Sequence, residues 1–420
     1  MALKLTRYEQ EMLDGKHGWP KQKGMEILFQ MGQLYGATHM IPVQNVHMVN
    51  ASIMLAGSAA IKLAERMVAE GARFVTRTTL NPASVDLDNW ERYGFIKEDY
   101  EAQKKLTDLL ARMGAIPVHC CTPYLVGQVP SFGEDICWGE SSAVIYANSV
   151  LGARTNRNGG PVSLAASLTG VVPAYGYHLV ENRYGTLQVN VNVPLKDIYD
   201  YGLLGFCIGE LVEDGVPVFN GIEKSVTPDE LKQLGSSLAT SGAVALFHAV
   251  GITPEAPTLE AAFGPKKPDR VIDIGIQEMK ATAEKLKQVT ESDYSIVYIG
   301  CPHASLEEIA EVAELIKGKK LKRGIEFWVQ TGQPIKALAE RCGYVKTIED
   351  AGAFVVCDTC PSHCFTKNLL ASKKYKSMAT NSPKMCHYGW NNGKIPTAVY
   401  SVSECVEIAL NGKCEVERWK

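Results

Sequence analysis

Residues 294–318 read "YSIVYIGCPHASLEEIAEVAELIKG", and the prediction of the fold rests on this segment. It opens with an apolar run typical of a buried strand, passes through a short loop, and continues with apolar residues at helical spacing. Ser305 and Glu308 are spaced as in a capping box, which marks the start of a helix. A strand followed directly by a helix is the repeating unit of parallel α/β sheets.

The same alternation continues towards the C-terminus. It is found in "IEFWVQTG" (325–332), "PIKALAERCGY" (334–344), "TIEDAG" (347–352) and "AFVVCD" (353–358). Strand-like runs also end in polar loops at "ARFVTRTTLNP" (72–82) and "GAIPVHCCTPY" (114–124). We therefore predict an α/β protein with doubly wound parallel sheets in two or three α/β/α domains around a cleft. The proline-rich segment 253–270 is the candidate linker, which divides the chain into 1–270 and 271–420.

Composition restricts the class of protein. The chain has 420 residues, is 46% hydrophobic and carries a formal charge of −3. No basic stripe suggests nucleic-acid binding, and no apolar run approaches the roughly 20 residues that cross a bilayer. The N-terminal segment lacks the apolar core of a secretion signal, so we expect a cytoplasmic protein whose 12 cysteines are mostly reduced.

Three cysteines follow directly after predicted strands. Cys301 and Cys360 follow strands of one predicted sheet, and Cys121 follows a strand of another. Ligands of parallel sheets bind at the carboxyl ends of strands, and thiolates favour zinc or iron–sulfur clusters. A local zinc site remains an alternative, because "CDTCPSHC" (357–364) brings Cys357, Cys360, His363 and Cys364 together. Spacing alone leaves both kinds of site open.

Six segments together resemble the large subunit of the aconitase X family. They are "CTPY" (121–124), "WGESSAVIYANSVLGARTNRNGGP" (138–161), "ATSGAVALFHAVGITPEAP" (239–257), "IGCPH" (299–303), "DTCP" (358–361) and "ATNSPKMCHY" (379–388). The resemblance implies an aconitase-like fold and an iron–sulfur hydro-lyase, with Cys121, Cys301 and Cys360 holding a [4Fe-4S] or [2Fe-2S] cluster. It also implies a small swivel-domain subunit as partner, which supplies the catalytic base. Cys120, Cys357 and Cys364 then become neighbours of the site, although Cys357 could replace Cys360.

Further residues are candidates for the same cleft because they lie in these motifs or end strand-like runs. His303, Glu140 and Ser141 are the candidate catalytic residues, with Ser141 and Ser142 at a predicted serine-capped helix start. Arg154 and Arg157 offer planar donor groups for a carboxylate, although the segment could also be a surface turn. The remaining candidates for substrate binding are His47, Thr79, Asn81, Asn156, Ser241, Thr380, Asn381 and Ser382.

Known members of the family dehydrate cis-3-hydroxy-L-proline or 5-phosphomevalonate. This chain has the aliphatic segment "NASIMLAG" (50–57) where the family carries glycine or tyrosine, in a region that helps phosphomevalonate-type members to hold substrate. The nearest cations, Lys62 and Arg66, lie in a segment that reads as an amphipathic helix. We therefore expect dehydration of a small 3-hydroxy carboxylate, with cis-3-hydroxy-L-proline ahead of 5-phosphomevalonate. A non-catalytic subunit that only binds a cluster or metal is the alternative from another class.

Overall fold

The computed structural model describes residues 3–289, 294–364, 373 and 375–414. These residues form three sheets of parallel strands packed against helices, and one small antiparallel pair, Met40–Pro42 with Val171–Pro173. The predicted α/β class with parallel sheets is confirmed. Within the described ranges, no helix combines the length and the apolar character that a membrane span requires.

The C-terminal sheet contains the predicted strand and helix of segment 294–318. Its five parallel strands lie in the order Phe354–Cys357, Glu326–Thr331, Ile296–Ile299, Met378–Thr380 and Thr397–Val399. Its helices are Leu306–Ile316, Gln333–Arg341, Tyr344–Asp350, Pro361–Cys364, Pro383–Asn391 and Val402–Asn411. The predicted capping box is confirmed, since the Glu308 backbone N–H donates to Ser305 Oγ at 3.1 Å and the Ser305 N–H donates to the Glu308 carboxylate at 2.9 Å.

All five strands of this sheet run in the same direction, so their carboxyl ends meet at one edge. Cys301 follows the central strand, and Cys360 follows an outer strand with one strand between them. Both cysteines therefore lie at the same edge of the sheet, as the sequence predicted.

The N-terminal sheet is also parallel and contributes the loop that carries Cys121. Its strands lie in the order Ile116–His119, Arg77–Leu80, Asn45–Met48 and Cys137–Trp138. Its helices are Arg7–Leu13, Trp19–Leu34, Ile53–Ala69, Trp90–Tyr93, Lys97–Met113, Ser141–Ser149 and Gly160–Thr169, with short 3₁₀ turns at Pro123–Val126, Gly176–His178 and Val180–Asn182.

The middle sheet has the order Arg270–Ile274, Leu187–Val191, Pro217–Asn220 and His248–Ala249, again all parallel. Its helices are Ile198–Val212, Pro228–Ser241, Leu259–Phe263 and Ile276–Lys285. The strand Arg270–Ile274 begins at the expected domain division between residues 270 and 271. Its partner strands come before this division, so residues on both sides of the division belong to one sheet. Segment 253–270, the expected linker, includes the short helix Leu259–Phe263.

Candidate active site

Cys121, Cys301 and Cys360 line one cavity of about 490 Å³ between the N-terminal and C-terminal sheets. Each cysteine comes from a different loop, and each loop begins where a strand ends: His119, Ile299 or Cys357. Parallel strands direct their following loops towards one edge, which explains how residues far apart in sequence reach the same cavity.

His303 connects the three cysteine loops. It follows Cys301 by two positions, and its backbone N–H donates to Cys121 Sγ at 3.2 Å. Its ring Nε2 lies 2.8 Å from the carbonyl oxygen of Thr359, the residue before Cys360. A carbonyl only accepts hydrogen bonds, so Nε2 carries the proton. Burial lowers the pKa of His303 to about 4, and the ring is therefore neutral at pH 7.

The neighbouring cysteines contact residues that do not line the cavity. Cys120 Sγ lies 3.1 Å from Thr122 Oγ1 and packs against Gly332, and the Cys357 N–H donates to the Asp86 carboxylate at 2.8 Å. Neither lies on the cavity wall, and the side chain of Cys364 falls outside the described residues. Across the described ranges, no three His, Cys, Asp or Glu side chains are arranged to hold a single metal ion.

Glu140 is a buried carboxylate on the cavity wall, and it caps the helix Ser141–Ser149. Its oxygens accept from the Ala143 N–H at 2.7 Å, from Ser142 Oγ at 2.6 Å and from Ser141 Oγ at 3.1 Å. Burial by itself raises the pKa of Glu140, but Lys384 and these hydrogen bonds lower it to about 2. The cap of this helix is thus a glutamate; the predicted serine cap is wrong, because both serines lie inside the first turn.

Lys384 is the counter-ion of Glu140, and the sequence analysis did not identify it. Its Nζ lies 2.6 Å from Glu140 Oε1, 3.1 Å from Ser141 Oγ and 3.2 Å from Ser142 Oγ. Three partners use all three donors of an ammonium group. Burial alone would lower the pKa of Lys384, but the Glu140 carboxylate raises it above its usual value, so the lysine stays charged. Two local signals point to it: Lys384 lies in the motif "ATNSPKMCHY" (379–388), and Pro383 opens a helix just after the strand Met378–Thr380.

A second buried cation fixes the loop after Cys301 to the middle domain. Lys232 Nζ contacts Asp229 Oδ1 at 2.7 Å and also binds the Glu308 carboxylate. Ser305 Oγ donates to Asp229 Oδ2 at 2.6 Å. Because Ser305 ends the loop that begins at Cys301, this network holds the loop from outside the cavity.

Arg157, Asn158 and Asn81 are further polar residues on the cavity wall. Arg157 is exposed, and its Nη2 donates to the Ala239 carbonyl at 3.1 Å. Asn158 and Asn81 are buried, and the Asn158 amide donates to the Trp138 carbonyl at 3.2 Å. Of the two cations among the described wall residues, Arg157 and Lys384, Arg157 therefore makes fewer hydrogen bonds to the protein.

Arg154 and Asn156 flank this segment without reaching the cavity wall. The Arg154 backbone N–H donates to the Glu134 carbonyl at 2.8 Å, and the Arg154 carbonyl accepts from the Ile136 N–H at 2.9 Å. The Asn156 amide donates to the Tyr175 carbonyl and accepts from the Tyr177 N–H, at 3.0 and 2.9 Å. These bonds stabilise the loop on which Arg157 lies.

His47 and Thr79 bind each other, since His47 Nδ1 lies 2.9 Å from Thr79 Oγ1. The two residues are partners in adjacent strands, and both are buried behind the cavity wall. Ser241 packs between two helices and donates to the Ser237 carbonyl at 3.0 Å. A Cβ atom at Gly209 would lie 2.1 Å from Ser241 Oγ, which shows how closely the helices approach.

The segment Thr380–Ser382 also lies behind the wall. Ser382 caps the helix that carries Lys384, accepting from the Met385 N–H at 3.1 Å, and it hydrogen-bonds to Cys301. Thr380 Oγ1 accepts from the Ser382 N–H at 3.3 Å, and the Asn381 carbonyl accepts from Gln233. This segment therefore positions Lys384 and Cys301.

Comparisons with known proteins cover almost the whole chain. Models of the first, second and third domains of aconitase X match residues 2–181, 185–284 and 294–411. The phosphomevalonate dehydratase large subunit of Methanocaldococcus jannaschii is 39% identical over 91% of this chain and 94% of that protein. The cis-3-hydroxy-L-proline dehydratase of Pseudomonas aeruginosa is 34% identical over 98% of this chain and 70% of that protein.

The structural comparison agrees with the sequence comparisons. The crystal structure of the holo form of Thermococcus kodakaraensis aconitase X matches with a TM-score of 0.87 and 36% sequence identity. The match covers 97% of this chain and 100% of the other, which confirms the aconitase-like fold. The resemblance noted in the sequence is confirmed, and the chain belongs to the aconitase X family of dehydratases.

Proposed function

We propose that the chain is the large subunit of an iron–sulfur dehydratase that removes water from a small 3-hydroxy monocarboxylate. The observation that carries this proposal is the meeting of Cys121, Cys301 and Cys360 on one cavity wall beside Arg157. In the reaction, the C–O bond of the hydroxyl and a C–H bond next to the carboxylate break. A C=C bond forms, and hydroxide and the proton leave as water.

The residues present fit a cluster held by three cysteines. Soft sulfur ligands come from three loops, and His303 joins those loops through its backbone N–H and its ring. Burial raises the pKa of the Cys301 thiol to about 12, so binding of a cluster has to displace a proton from it. When bound, such a cluster supplies an open iron that acts as a Lewis acid on a substrate oxygen.

The charge of the cavity favours a substrate with one anionic group. Among the Asp, Glu, Lys and Arg side chains of its described wall, Arg157 and Lys384 are cations and Glu140 is an anion. Because Lys384 is paired with Glu140, the exposed Arg157 fork is the cation that remains for a substrate carboxylate. The substrate cis-3-hydroxy-L-proline has one carboxylate, whereas 5-phosphomevalonate has a phosphate as well. We therefore place cis-3-hydroxy-L-proline ahead of 5-phosphomevalonate.

The base that removes the proton comes, in this proposal, from a small subunit. Glu140 stays ionised, but its oxygens are taken up by Lys384, two serine hydroxyls and one backbone N–H. We assign Glu140 and Ser141 to holding the helix start and the wall of the cavity, and His303 to holding the cysteine loops. The M. jannaschii relative is named as a large subunit, which supports a partner of this kind.

The test is anaerobic purification with the small-subunit homologue of the same organism, followed by iron and sulfide analysis. Dehydration of cis-3-hydroxy-L-proline, 5-phosphomevalonate and simple 3-hydroxy acids is then measured. Bound iron with turnover of a 3-hydroxy acid supports the proposal. A preparation that holds no iron or sulfide under strict anaerobiosis contradicts it.

A further inference from the structure

A second cavity of about 600 Å³ adjoins the active-site cavity. It lies among four helices: Trp19–Leu34, Ile53–Ala69, Lys97–Met113 and Gly160–Thr169. The two cavities share Val49, Asn50, Leu55, Gly160 and Pro161 as wall residues. The two cavities are therefore adjacent at these five residues.

The second cavity is apolar. Ala60, Leu63, Leu110 and Leu164 are typical of its wall. Its ionic side chains, Lys23 and Glu26, lie 2.6 Å apart and neutralise each other. Apolar walls with few polar groups are typical of sites for hydrophobic parts of ligands.

The helix Ile53–Ala69 leaves apolar surface uncovered at this place. Leu55 is 56% exposed and Leu63 is 43% exposed. The helix is interrupted at Gly57, whose φ of 66° is left-handed and thus outside the helical range. Asn50 and Leu55, both in the segment 50–57, line both cavities.

We propose that the natural substrate carries an apolar substituent on its hydroxyl-bearing carbon, and that this substituent lies in the second cavity. The carboxylate and the hydroxyl of this substrate then lie between Arg157 and the three cysteines. This inference rests on the proposed function, but it names a 3-hydroxyalkanoate as the natural substrate, ahead of cis-3-hydroxy-L-proline. Its dehydration to a 2-alkenoate and water needs no further reactant.

Equilibrium binding tests the apolar site independently of turnover. Butanoate, hexanoate and octanoate are titrated by calorimetry into the anaerobically purified two-subunit enzyme. Each added methylene is worth about 0.8 kcal/mol when buried, which corresponds to a roughly fourfold decrease in Kd. We expect this dependence on chain length to disappear in Ala60→Phe, which places an aromatic ring in the cavity. Affinities that do not change with chain length overturn the inference.

A second variant avoids the objection that the bulky side chain introduced by Ala60→Phe disturbs folding. Leu63 is partly exposed, so Leu63→Asp makes the wall polar without burying a new side chain deeply. We expect it to raise the Kd of octanoate at least about tenfold and that of butanoate much less. Leu338 on the helix Gln333–Arg341 is 49% exposed and lies away from both cavities, so Leu338→Asp is the matched control. Equal effects of the two variants contradict the inference.

Turnover separates this inference from the proposed function. The kcat/KM values of 3-hydroxybutanoate, 3-hydroxyhexanoate and 3-hydroxyoctanoate are compared with those of cis-3-hydroxy-L-proline and 5-phosphomevalonate. An increase in kcat/KM with chain length, lost in Ala60→Phe, supports the inference. Turnover of cis-3-hydroxy-L-proline with no preference for longer alkanoates overturns the inference and leaves the proposed function standing. Loaded enzyme that dehydrates none of these acids contradicts both.

Discussion

Lys384 Nζ lies 2.6 Å from Glu140 Oε1 inside the cavity, and the pair joins the N-terminal and C-terminal domains. Replacement of one partner leaves the other as an uncompensated buried charge. We expect Lys384→Met to lower the free energy of unfolding by about 3 to 5 kcal/mol, measured by urea denaturation. The double variant Glu140→Gln, Lys384→Met should recover part of this loss, whereas strict additivity of the two single changes would contradict a direct pair.

An exposed ion pair of equal length provides the control for this prediction. Lys346 Nζ also lies 2.6 Å from a carboxylate oxygen, that of Asp350, but both side chains are well exposed. Solvent screening makes such pairs weak. Lys346→Met should therefore leave the urea midpoint almost unchanged. A loss as large as that of Lys384→Met would mean that removal of any lysine, and not burial of the pair, determines the effect.

Replacement of single cysteines tests which sulfurs hold the cluster. We expect Cys301→Ser to lower the bound iron and sulfide and the visible absorption of the cluster, with an unchanged far-ultraviolet circular dichroism spectrum. Cys357→Ser is the control, because Cys357 is also buried but does not line the cavity. If Cys357→Ser loses the iron and Cys360→Ser retains it, Cys357 replaces Cys360 as the ligand.

The sequence predicted those parts of the fold that have local signals. The C-terminal sheet is an example, since each strand and helix has its own apolar period and the capping box of Ser305 and Glu308 marks a helix start. Lys384 could not be predicted as the partner of Glu140, because they are 244 residues apart and meet only when the domains pack. Thr79 lies near the end of a strand, as expected, and pairs with His47 of the adjacent strand. The direction of both side chains depends on a two-residue period that short strands fix poorly.

Because His47 is buried, we expect the free energy of unfolding to depend on pH in the acidic range. Burial lowers the pKa of His47 from its usual 6.5 to about 4, against an opposing effect of Glu140. Below pH 6.5 the His47 side chain takes up a proton in the unfolded chain but not in the folded chain. The contribution of His47 to the free energy of unfolding is therefore fully present above pH 6.5 and is lost as the pH falls towards 4. The loss from this one residue between pH 8 and pH 5 is about 2 kcal/mol.

The variant His47→Gln isolates this contribution. We expect the difference in unfolding free energy between pH 8 and pH 5 to be smaller in the variant by about 2 kcal/mol, measured by urea denaturation at both values. His17→Gln is the control, since His17 is exposed. Equal pH dependence in the wild-type protein and His47→Gln would show that His47 titrates normally in the folded state.

Gly139 is a residue on the cavity wall that has no room for a side chain. A Cβ atom there would lie 2.1 Å from the Asn158 carbonyl oxygen, which belongs to the backbone and has little freedom to retreat, and 2.8 Å from Val49. Gly139→Ala should therefore cost about 3 kcal/mol of stability and displace the adjacent Glu140 from Lys384. Gly159→Ala, on the same wall, places its Cβ 3.9 Å from Pro161 and should cost no more than about 1 kcal/mol. Equal losses of thermal stability in the two variants would contradict the prediction that the close packing of Gly139 against Asn158 excludes a side chain.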